Sequence, residues 1–259
     1  MQALIRTARN HQNSHINWAE PPEGPVIVIP DAAMEDFKDG NQITIYLILI
    51  RSISSNTAVI MPPVILYGRE TSDGWDCAFS RLPRDLHSRI VALVCDGHVG
   101  IVRQAKINHW VLQRCHFHII QGINNYLKPG RLSRSNELTP IIHDLIKTVL
   151  CCIDDEKAQR AIWLLEIYAK CVKSKGARQV LSGFTKHWLD YRAYLYNNEM
   201  RLPCTSNSAE SCFSLIRTVQ GRANGFRTEK SFLAWLEFML KRQQTMTCRQ
   251  VDYLHKYVV

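Results

Sequence analysis

The sequence lacks the features of several protein classes. Its longest apolar runs, near residues 43–50 and 89–95, are shorter than the roughly 20 residues that a transmembrane helix needs. The first residues do not show the basic-then-apolar pattern of a secretory signal peptide. Internal repeats and low-complexity tracts are also absent. We therefore expect a globular cytoplasmic protein with no membrane partner.

Cysteine pairs with the usual metal-binding spacing are absent as well. Nine cysteines occur, an odd number, and no two of them are spaced as Cys-x-x-Cys. Most lie inside apolar or helical stretches, which predicts reduced, buried thiols rather than a disulfide framework.

Acidic residues are fewer than basic ones. The chain has 23 Asp and Glu against 32 Lys and Arg, for a net charge of +9. Such a surplus favours polyanionic partners, of which nucleic acid is the commonest, although a basic protein can also lack any such partner. With 259 residues and 46% apolar content, the chain can build a hydrophobic core in one large domain or two small ones.

The first part of the chain is rich in β-strand patterns. Three runs, at 26–31, 43–53 and 58–68, are joined by short segments of turn residues. Connections this short predict an antiparallel meander, because parallel neighbours need a long crossover. Pro62 and Pro63 interrupt the third run, which is typical of an edge strand or a bulge.

Strand and helix patterns then alternate. A short helix at 73–82 precedes an almost continuous apolar strand at 89–96, a helix at 98–107 and a strand at 110–117. This order implies a right-handed parallel crossover. We therefore predict an α/β fold whose mixed sheet contains three antiparallel strands followed by two parallel ones.

The rest of the chain is predicted to be helical. Apolar residues recur at helical spacing between about 119 and 197, which indicates an inserted bundle of two to four helices. Helices at about 207–220 and 229–243 end the pattern. The predicted organisation is a tail or linker (1–24), the first part of the core (25–120), an all-helical insertion (121–203) and C-terminal helices that complete the core (204–259).

Three acidic residues stand where an α/β fold gathers functional groups. Asp31 and Asp96 each follow an apolar strand, and sites in open α/β sheets lie beyond the carboxyl ends of strands. Glu210 lies where a helix is predicted to begin. If the three converge, they can hold a pair of divalent metal ions, which suits phosphodiester chemistry.

Each of these acids also has an interpretation without chemistry. Asp96 precedes a glycine and can form a simple turn. Glu210 can complete a capping box with Asn207 as the N-cap. Asp31 can be a solvated loop acid, and three nearby acids compete with it: Glu35, Asp36 and Asp39.

Three other groups have two interpretations each. Cys115 and His118 have a spacing that can ligate zinc, but a structural zinc site needs four ligands, so we favour a packed cysteine and a hydrogen-bonded histidine. Trp163 and Trp188 can stack on bases, but we favour packing in a helical core. Four basic residues either grip phosphates or form a solvated face: Arg217, Arg222, Arg227 and Lys230.

Taken in order, these segments resemble the Mutator-type transposases and their bacterial insertion-sequence relatives. The matching stretches are 94–100, 113–118, 205–210 and 225–227, and the resemblance spans about residues 26–240. It rests on Asp-Gly, then Gln-Arg-Cys-x-x-His about twenty residues later, then a distal Thr-x-Asn-x-x-Glu.

The resemblance implies a ribonuclease-H-like catalytic fold with a helical insertion before the last acid. It implies that Asp31, Asp96 and Glu210 form an Asp-Asp-Glu triad that binds two Mg²⁺ or Mn²⁺ ions. Cys115 and His118 match the family's Cys-x-x-His pair and, with Asn207 from the distal segment, are expected to support the site.

The same resemblance implies a DNA transposase that cleaves DNA and transfers strands. Its expected partners are transposon ends and target DNA, bound by a homodimer in the bacterial cytoplasm in association with the nucleoid. Family members usually carry an N-terminal DNA-binding region, so we expect a truncated copy that lacks it. The alternatives are a metal-dependent nuclease of the same fold without strand transfer, and an inactive DNA-binding remnant.

Overall fold

The computed structural model describes residues 16–37, 40–127, 138–222, 226 and 228–248. The chain forms two compact units. The first unit consists of Met1–Val111 and Ser206–Arg249, and the second of Leu112–Thr205 and Gln250–Val259. The second unit thus starts nine residues before the predicted helical insertion and includes the segment that carries Cys115 and His118.

The described residues contain seven strands and ten α-helices. The strands are β1 (Val26–Asp36), β2 (Gln42–Ser52), β3 (Thr57–Ile60), β4 (Val64–Tyr67), β5 (Ile90–Cys95), β6 (Val111–Arg114) and β7 (Thr245–Thr247). The helices are α1 (Ser72–Ser80), α2 (Arg84–Ser88), α3 (Val99–Ile107), α4 (His116–Leu127), α5 (Leu138–Cys151), α6 (Asp155–Cys171), α7 (Lys175–Lys186), α8 (Ala193–Tyr196), α9 (Asn207–Arg222) and α10 (Glu229–Gln243).

The first unit contains a mixed β-sheet. Within this unit the strand order is β5-β1-β2-β3-β7, and β4 also pairs with β2. β1, β2 and β3 pair antiparallel in sequence order, whereas β1 and β5 are parallel. The predictions of an α/β class, an antiparallel meander and a mixed sheet are therefore confirmed.

β1 is longer than its apolar run. It was predicted to end at Asp31 but continues to Asp36, and each residue of the strand faces a residue of β2. The extension follows from the partner strand, because β2 is buried along most of its length and offers an apolar surface to pair with. Asp31 therefore lies inside a strand, not after its end.

The third predicted strand is two strands. β3 pairs with the second half of β2 and β4 with its first half, and Pro62 and Pro63 lie between them. Proline has no backbone N–H to donate, which explains the break. β7 was not predicted, because three residues are too few to show a strand pattern. It pairs antiparallel with β3.

The segment ahead of β1 contacts other parts of the first unit. The guanidinium of Arg89 donates hydrogen bonds to the carbonyls of Pro22 and Gly24, at 2.5 and 3.2 Å. The Lys241 ammonium lies 5.7 Å from the centre of the Trp18 ring. Residues 16–24 are therefore anchored on this unit, although the sequence predicts a tail or linker.

The second unit is mostly helical. β6 ends at Arg114 and α4 begins at His116, so the strand predicted at 110–117 is shorter than expected. Asp154 and Ser174 cap α6 and α7 by accepting backbone N–H bonds from Lys157 and Ala177. The buried core of this unit is aliphatic with two aromatic residues: Ile119, Ile120, Ile123, Leu127, Ile142, Ile146, Val149, Leu150, Ala161, Ile162, Leu165, Val172, Ala177, Leu181, Phe184 and Tyr191.

Candidate active site

Asp31 lies half-buried in the central strand β1. Side chains along a strand alternate between the two faces, so Asp31 shares one face with Ile29 and Glu35. Its Oδ1 accepts the backbone N–H of Ala32 at 2.9 Å. The antiparallel partner directly opposite is Leu47, which is fully buried. A carboxylate thus emerges from an otherwise apolar part of the sheet.

A proline ends the parallel pairing just before Asp31. The Val26 N–H donates to the carbonyl of Arg89, so by alternation the backbone nitrogen of residue 30 also points towards β5. Residue 30 is proline and has no N–H to donate there. The registered parallel pairs accordingly end with Val28 beside Leu93.

The register of these two strands relates Asp31 to Asp96. Counting three residues on from Val28 and Leu93 reaches Asp31 on one strand and Asp96 on the other. Both aspartates therefore lie three residues beyond the last registered pair of the same parallel ladder.

Asp96 sits in a tight turn after the buried strand β5. Gly97 adopts a φ of 102°, which favours glycine because it has no Cβ. The Asp96 Oδ1 accepts the backbone N–H of His98 at 2.8 Å. The simple-turn interpretation of the Asp-Gly pair is therefore confirmed, and the same turn leaves the Asp96 side chain exposed to solvent.

Helix α9, which carries Glu210, packs along β1. Its buried stripe consists of Ala209, Cys212, Phe213 and Ile216, which recur at helical spacing. Burial raises the pKa of Cys212 to about 12, and the negative charge of Asp31 adds to the rise, so Asp31 lies near this thiol.

The far end of α9 also contacts β1. The Gln220 side-chain amide donates to Glu35 at 3.1 Å. Eight helical residues rise about 12 Å, and four strand residues span about 13 Å, so α9 follows β1 in the same direction from Asp31 to Glu35. Glu210 is half-buried and lies about 3 Å along the axis before Cys212. It therefore stands at the Asp31 end of the helix.

The prediction that Asn207 is the N-cap of α9 is wrong by one residue. The helix begins at Asn207, and the carbonyl that accepts the Glu210 N–H, at 3.4 Å, belongs to Ser206. Ser206 is therefore the N-cap, because the N-cap carbonyl accepts the first intrahelical bond. Asn207 occupies the first helical position and Glu210 the fourth, so the side chain of Glu210 is not placed to close a capping box with Asn207.

The other acids near Asp31 have different surroundings. Glu35 accepts from Gln220, near the end of α9, and Asp36 accepts from the Gln42 amide at 2.6 Å across the hairpin. Asp39 lies outside the described residues. Of the described acids in this segment, Asp31 is the one that lies, like Asp96, three residues beyond the last registered parallel pair.

The three candidate ligands have the right chemistry for hard cations. Carboxylate oxygens are the ligands that Mg²⁺ and Mn²⁺ prefer. Asp31, Asp96 and Glu210 do not form a group whose ligand atoms all lie within 4.8 Å of one another. A two-ion centre spreads its ligands over cations about 3.5–4 Å apart, so it does not require the carboxylates to be that close.

The Gln-Arg-Cys-His-Phe-His segment organises the second unit. Cys115 is buried, and its sulfur lies within 4.8 Å of a ring nitrogen of half-buried His118. The buried Gln113 and His116 both donate to the carbonyl of Tyr191, at 3.1 and 2.7 Å.

The sequence analysis did not predict the role of Gln113 and His116. The Gln113 Oε1 also accepts the backbone N–H of Tyr194 at 2.8 Å. The backbone N–H of His116 donates to the carbonyl of Cys204 at 2.9 Å. The sequence carries no signal for this network, because the burial of Gln113 and His116 depends on residues far along the chain. The segment therefore holds residues 191–204 to the start of α4.

The candidate basic residues are placed only in part. Arg217 is exposed on α9, seven residues and two turns after Glu210, so both lie on one side of the helix. Lys230 is exposed in the first turn of α10. The side chain of Arg222 and all of Arg227 lie outside the described part of the chain.

The two candidate tryptophans differ. Trp188 packs against the core of the second unit, with the Arg192 guanidinium 5.5 Å from its ring centre, as predicted. Trp163 is 61% exposed on α6, so the prediction that it packs in a helical core is wrong. An amphipathic helix can carry an aromatic residue on its solvent side, and sequence spacing did not reveal which side Trp163 takes.

Comparison with protein-family models gives no matching family, and no curated protein matches the chain. Among the described residues, no helix has the length and apolar character needed to cross a membrane. The nine cysteines are free, but only four of them are buried: Cys95, Cys115, Cys212 and Cys248.

Proposed function

We propose that this chain is a DNA transposase of the Asp-Asp-Glu type, with a ribonuclease-H-like catalytic unit. The observation that carries the proposal is the strand register, by which Asp31 and Asp96 follow the end of one parallel ladder. Helix α9 supports it, because α9 runs along β1 from Asp31 to Glu35 and carries Glu210 near its Asp31 end. The order of motifs along the chain, which resembles that of Mutator-type transposases, also supports it.

In this proposal, Asp31, Asp96 and Glu210 hold two Mg²⁺ or Mn²⁺ ions. Such an ion pair supplies an activated hydroxyl nucleophile and charge stabilisation for the leaving oxygen of a phosphodiester. The chain's own contribution is to position the ligands. Half-buried Asp31 and Glu210 are held by packed elements, whereas exposed Asp96 faces solvent, from which the DNA backbone approaches.

Exposed basic residues supply contacts for the DNA backbone. Arg217 extends from the same side of α9 as Glu210, and Lys230 is exposed on α10. Guanidinium and ammonium groups bind phosphate oxygens without reading the base sequence. We expect them to orient the substrate, as part of a dimer on paired DNA ends.

The test uses the full chain, Mn²⁺ and two DNA substrates. A supercoiled plasmid reports cleavage, and a duplex that contains this protein's coding sequence with its flanking DNA reports end joining. Asp96→Asn is expected to reduce the cleavage rate by roughly a hundredfold or more, because a metal ligand is lost. The exposed side chain of Asp96 predicts an unchanged melting temperature.

Asp85→Asn is the matched control, because Asp85 is an exposed aspartate of the same unit and its substitution should leave cleavage unchanged. Cleavage that survives Asp96→Asn would refute the assigned site. Cleavage without joined products would favour the nuclease, and the absence of both activities together with the absence of Mn²⁺ binding would favour the inactive remnant.

A further inference from the structure

A half-buried carboxylate, Glu70, lies beside the turn that carries Asp96. Its Oε1 accepts the indole N–H of Trp75 at 2.7 Å and lies 3.7 Å from the Nε2 of His98. Trp75 is fully buried, whereas the side chains of Glu70 and His98 are 29% and 23% exposed. One carboxylate oxygen thus contacts a residue of α1 and the residue that precedes α3.

His98 connects this carboxylate to Asp96. The backbone N–H of His98 donates to the Asp96 Oδ1 at 2.8 Å, and its ring Nδ1 accepts the Gly100 N–H at 3.1 Å, which caps α3. Because Nδ1 accepts, the proton of the neutral ring is on Nε2, the nitrogen nearer to Glu70. The position of the His98 ring therefore links Glu70 to the turn at residues 96–98.

The far side of the link is fixed to the sheet. The Thr71 N–H donates to the hydroxyl of Tyr46 on β2 at 3.0 Å, and the Thr71 side chain caps α1. The starts of α1 and α3 are also tightly packed, because a Cβ added at Gly100 would lie 2.8 Å from the Ser72 Cα. Glu70 precedes Thr71 directly, so it extends from a segment that is held in place.

We propose that Glu70 is a positioning residue for Asp96. It holds the His98 ring, and with it the turn at 96–98, so that the Asp96 carboxylate keeps one orientation towards the metal ions. The inference rests on the proposed function, because it assigns Asp96 as a metal ligand. An exposed carboxylate on a glycine turn needs such support, and losing the residue that orients a ligand typically costs about 10–100-fold in metal affinity.

The experiment is a calorimetric titration of the full chain with Mn²⁺, which needs no DNA and no catalysis. Glu70→Ala is expected to raise the Mn²⁺ dissociation constant about tenfold or more. Glu70→Gln keeps an oxygen that accepts the Trp75 N–H and lies beside His98, so its dissociation constant should stay within about threefold of wild type. Rescue by the conservative variant separates positioning from a contribution of the negative charge.

Asp76→Ala is the matched control. Asp76 also joins α1 to α3, where it accepts from Gln104 at 2.7 Å and pairs with Arg103, but these partners lie in the middle of α3. This variant should lower the melting temperature and leave the Mn²⁺ dissociation constant unchanged. An equal weakening of Mn²⁺ binding in Asp76→Ala and Glu70→Ala would overturn the inference, since helix docking alone would explain both.

A second variant tests the link itself, also in the event that Glu70→Ala does not fold. In His98→Asn, the asparagine can still cap α3 but is too short to reach Glu70. It should weaken Mn²⁺ binding as Glu70→Ala does, and the double variant should be no weaker than either single one. If the wild-type protein binds Mn²⁺ and neither variant weakens that binding, only the role of Glu70 is refuted. If the wild-type protein binds no Mn²⁺, the proposed function and this inference are overturned together.

Discussion

At the scale of single residues, the buried polar side chains of the second unit are tied to specific backbone groups. His116 is buried, and burial lowers its pKa from 6.5 to about 4, although its hydrogen bond to the Tyr191 carbonyl opposes that shift. The imidazole is therefore neutral in the folded protein at neutral pH. In the unfolded chain it would take up a proton near pH 6.5.

This difference predicts a loss of stability in mild acid. Between about pH 6.5 and 4 the unfolded state binds a proton that the folded state does not, so the free energy of unfolding falls as the pH is lowered. The loss from His116 approaches roughly 1.4 kcal/mol per pH unit inside this window and stops below it. Urea unfolding at pH 7.0, 5.5 and 4.5 should show this fall in wild type.

His116→Gln keeps a donor for Tyr191 and has no group that titrates in this window, so its stability should depend less on pH than that of wild type. The control is His143→Gln, because partial burial also lowers the pKa of His143 while Asp144 opposes the shift, and this variant should keep most of the dependence. An unchanged pH dependence in His116→Gln would contradict the assignment of a buried neutral histidine.

At the scale of secondary-structure elements, close packing of helix starts holds the first unit together near Asp96. Gly100 lies in the first turn of α3 against the backbone of Ser72 in α1. Gly183 in α7 offers the opposite situation, because a Cβ added there would meet nothing within 4 Å. Both glycines lie within helices, so they form a matched pair.

Gly100→Ala and Gly183→Ala are expected to change stability in opposite directions. The first forces α1 and α3 apart and should lower the free energy of unfolding by about 1–3 kcal/mol. The second replaces an exposed helical glycine by alanine and should raise it by about 0.5–1 kcal/mol. Urea denaturation followed by circular dichroism measures both, and a neutral Gly100→Ala would show that this contact is looser than the structure indicates.

At the scale of the whole molecule, the charge balance bears on the proposed DNA partner. The net charge of +9 favours association with a polyanion, and each phosphate that the protein neutralises releases counterions. The logarithm of the DNA affinity should therefore fall linearly with the logarithm of the salt concentration. The slope reports the number of phosphate contacts.

Arg217→Ala combined with Lys230→Ala is expected to reduce this slope by about 2, because two phosphate contacts are lost. Fluorescence anisotropy with a labelled duplex at several NaCl concentrations measures the slope. Arg160→Ala is the control, since Arg160 is an exposed arginine on α6 in the second unit that pairs with Glu156. An equal reduction in that control would mean that the positive charge acts without a defined site.

Local patterns in the sequence were enough to predict many of the elements and their types. The apolar runs of β2 and β5 and the helical spacing in α6, α9 and α10 predicted those elements, because burial imposes a period on one chain segment at a time. The antiparallel meander followed from short connections, which leave little choice of partner. Asp96 could likewise be placed after a buried strand from local pattern alone.

Other features of the fold and the site depended on which distant segments contact one another. Local patterns in the sequence could not show those contacts. β1 runs past Asp31 because β2 offers a partner up to Asp36, and β7 forms because β3 accepts it. The placement of Asp31 and Asp96 just beyond one parallel ladder depends on a register between residues 65 apart in the sequence, such as Val28 and Leu93. The burial of Gln113 and the exposure of Trp163 were likewise determined by packing, because burial depends on neighbours that lie far along the chain.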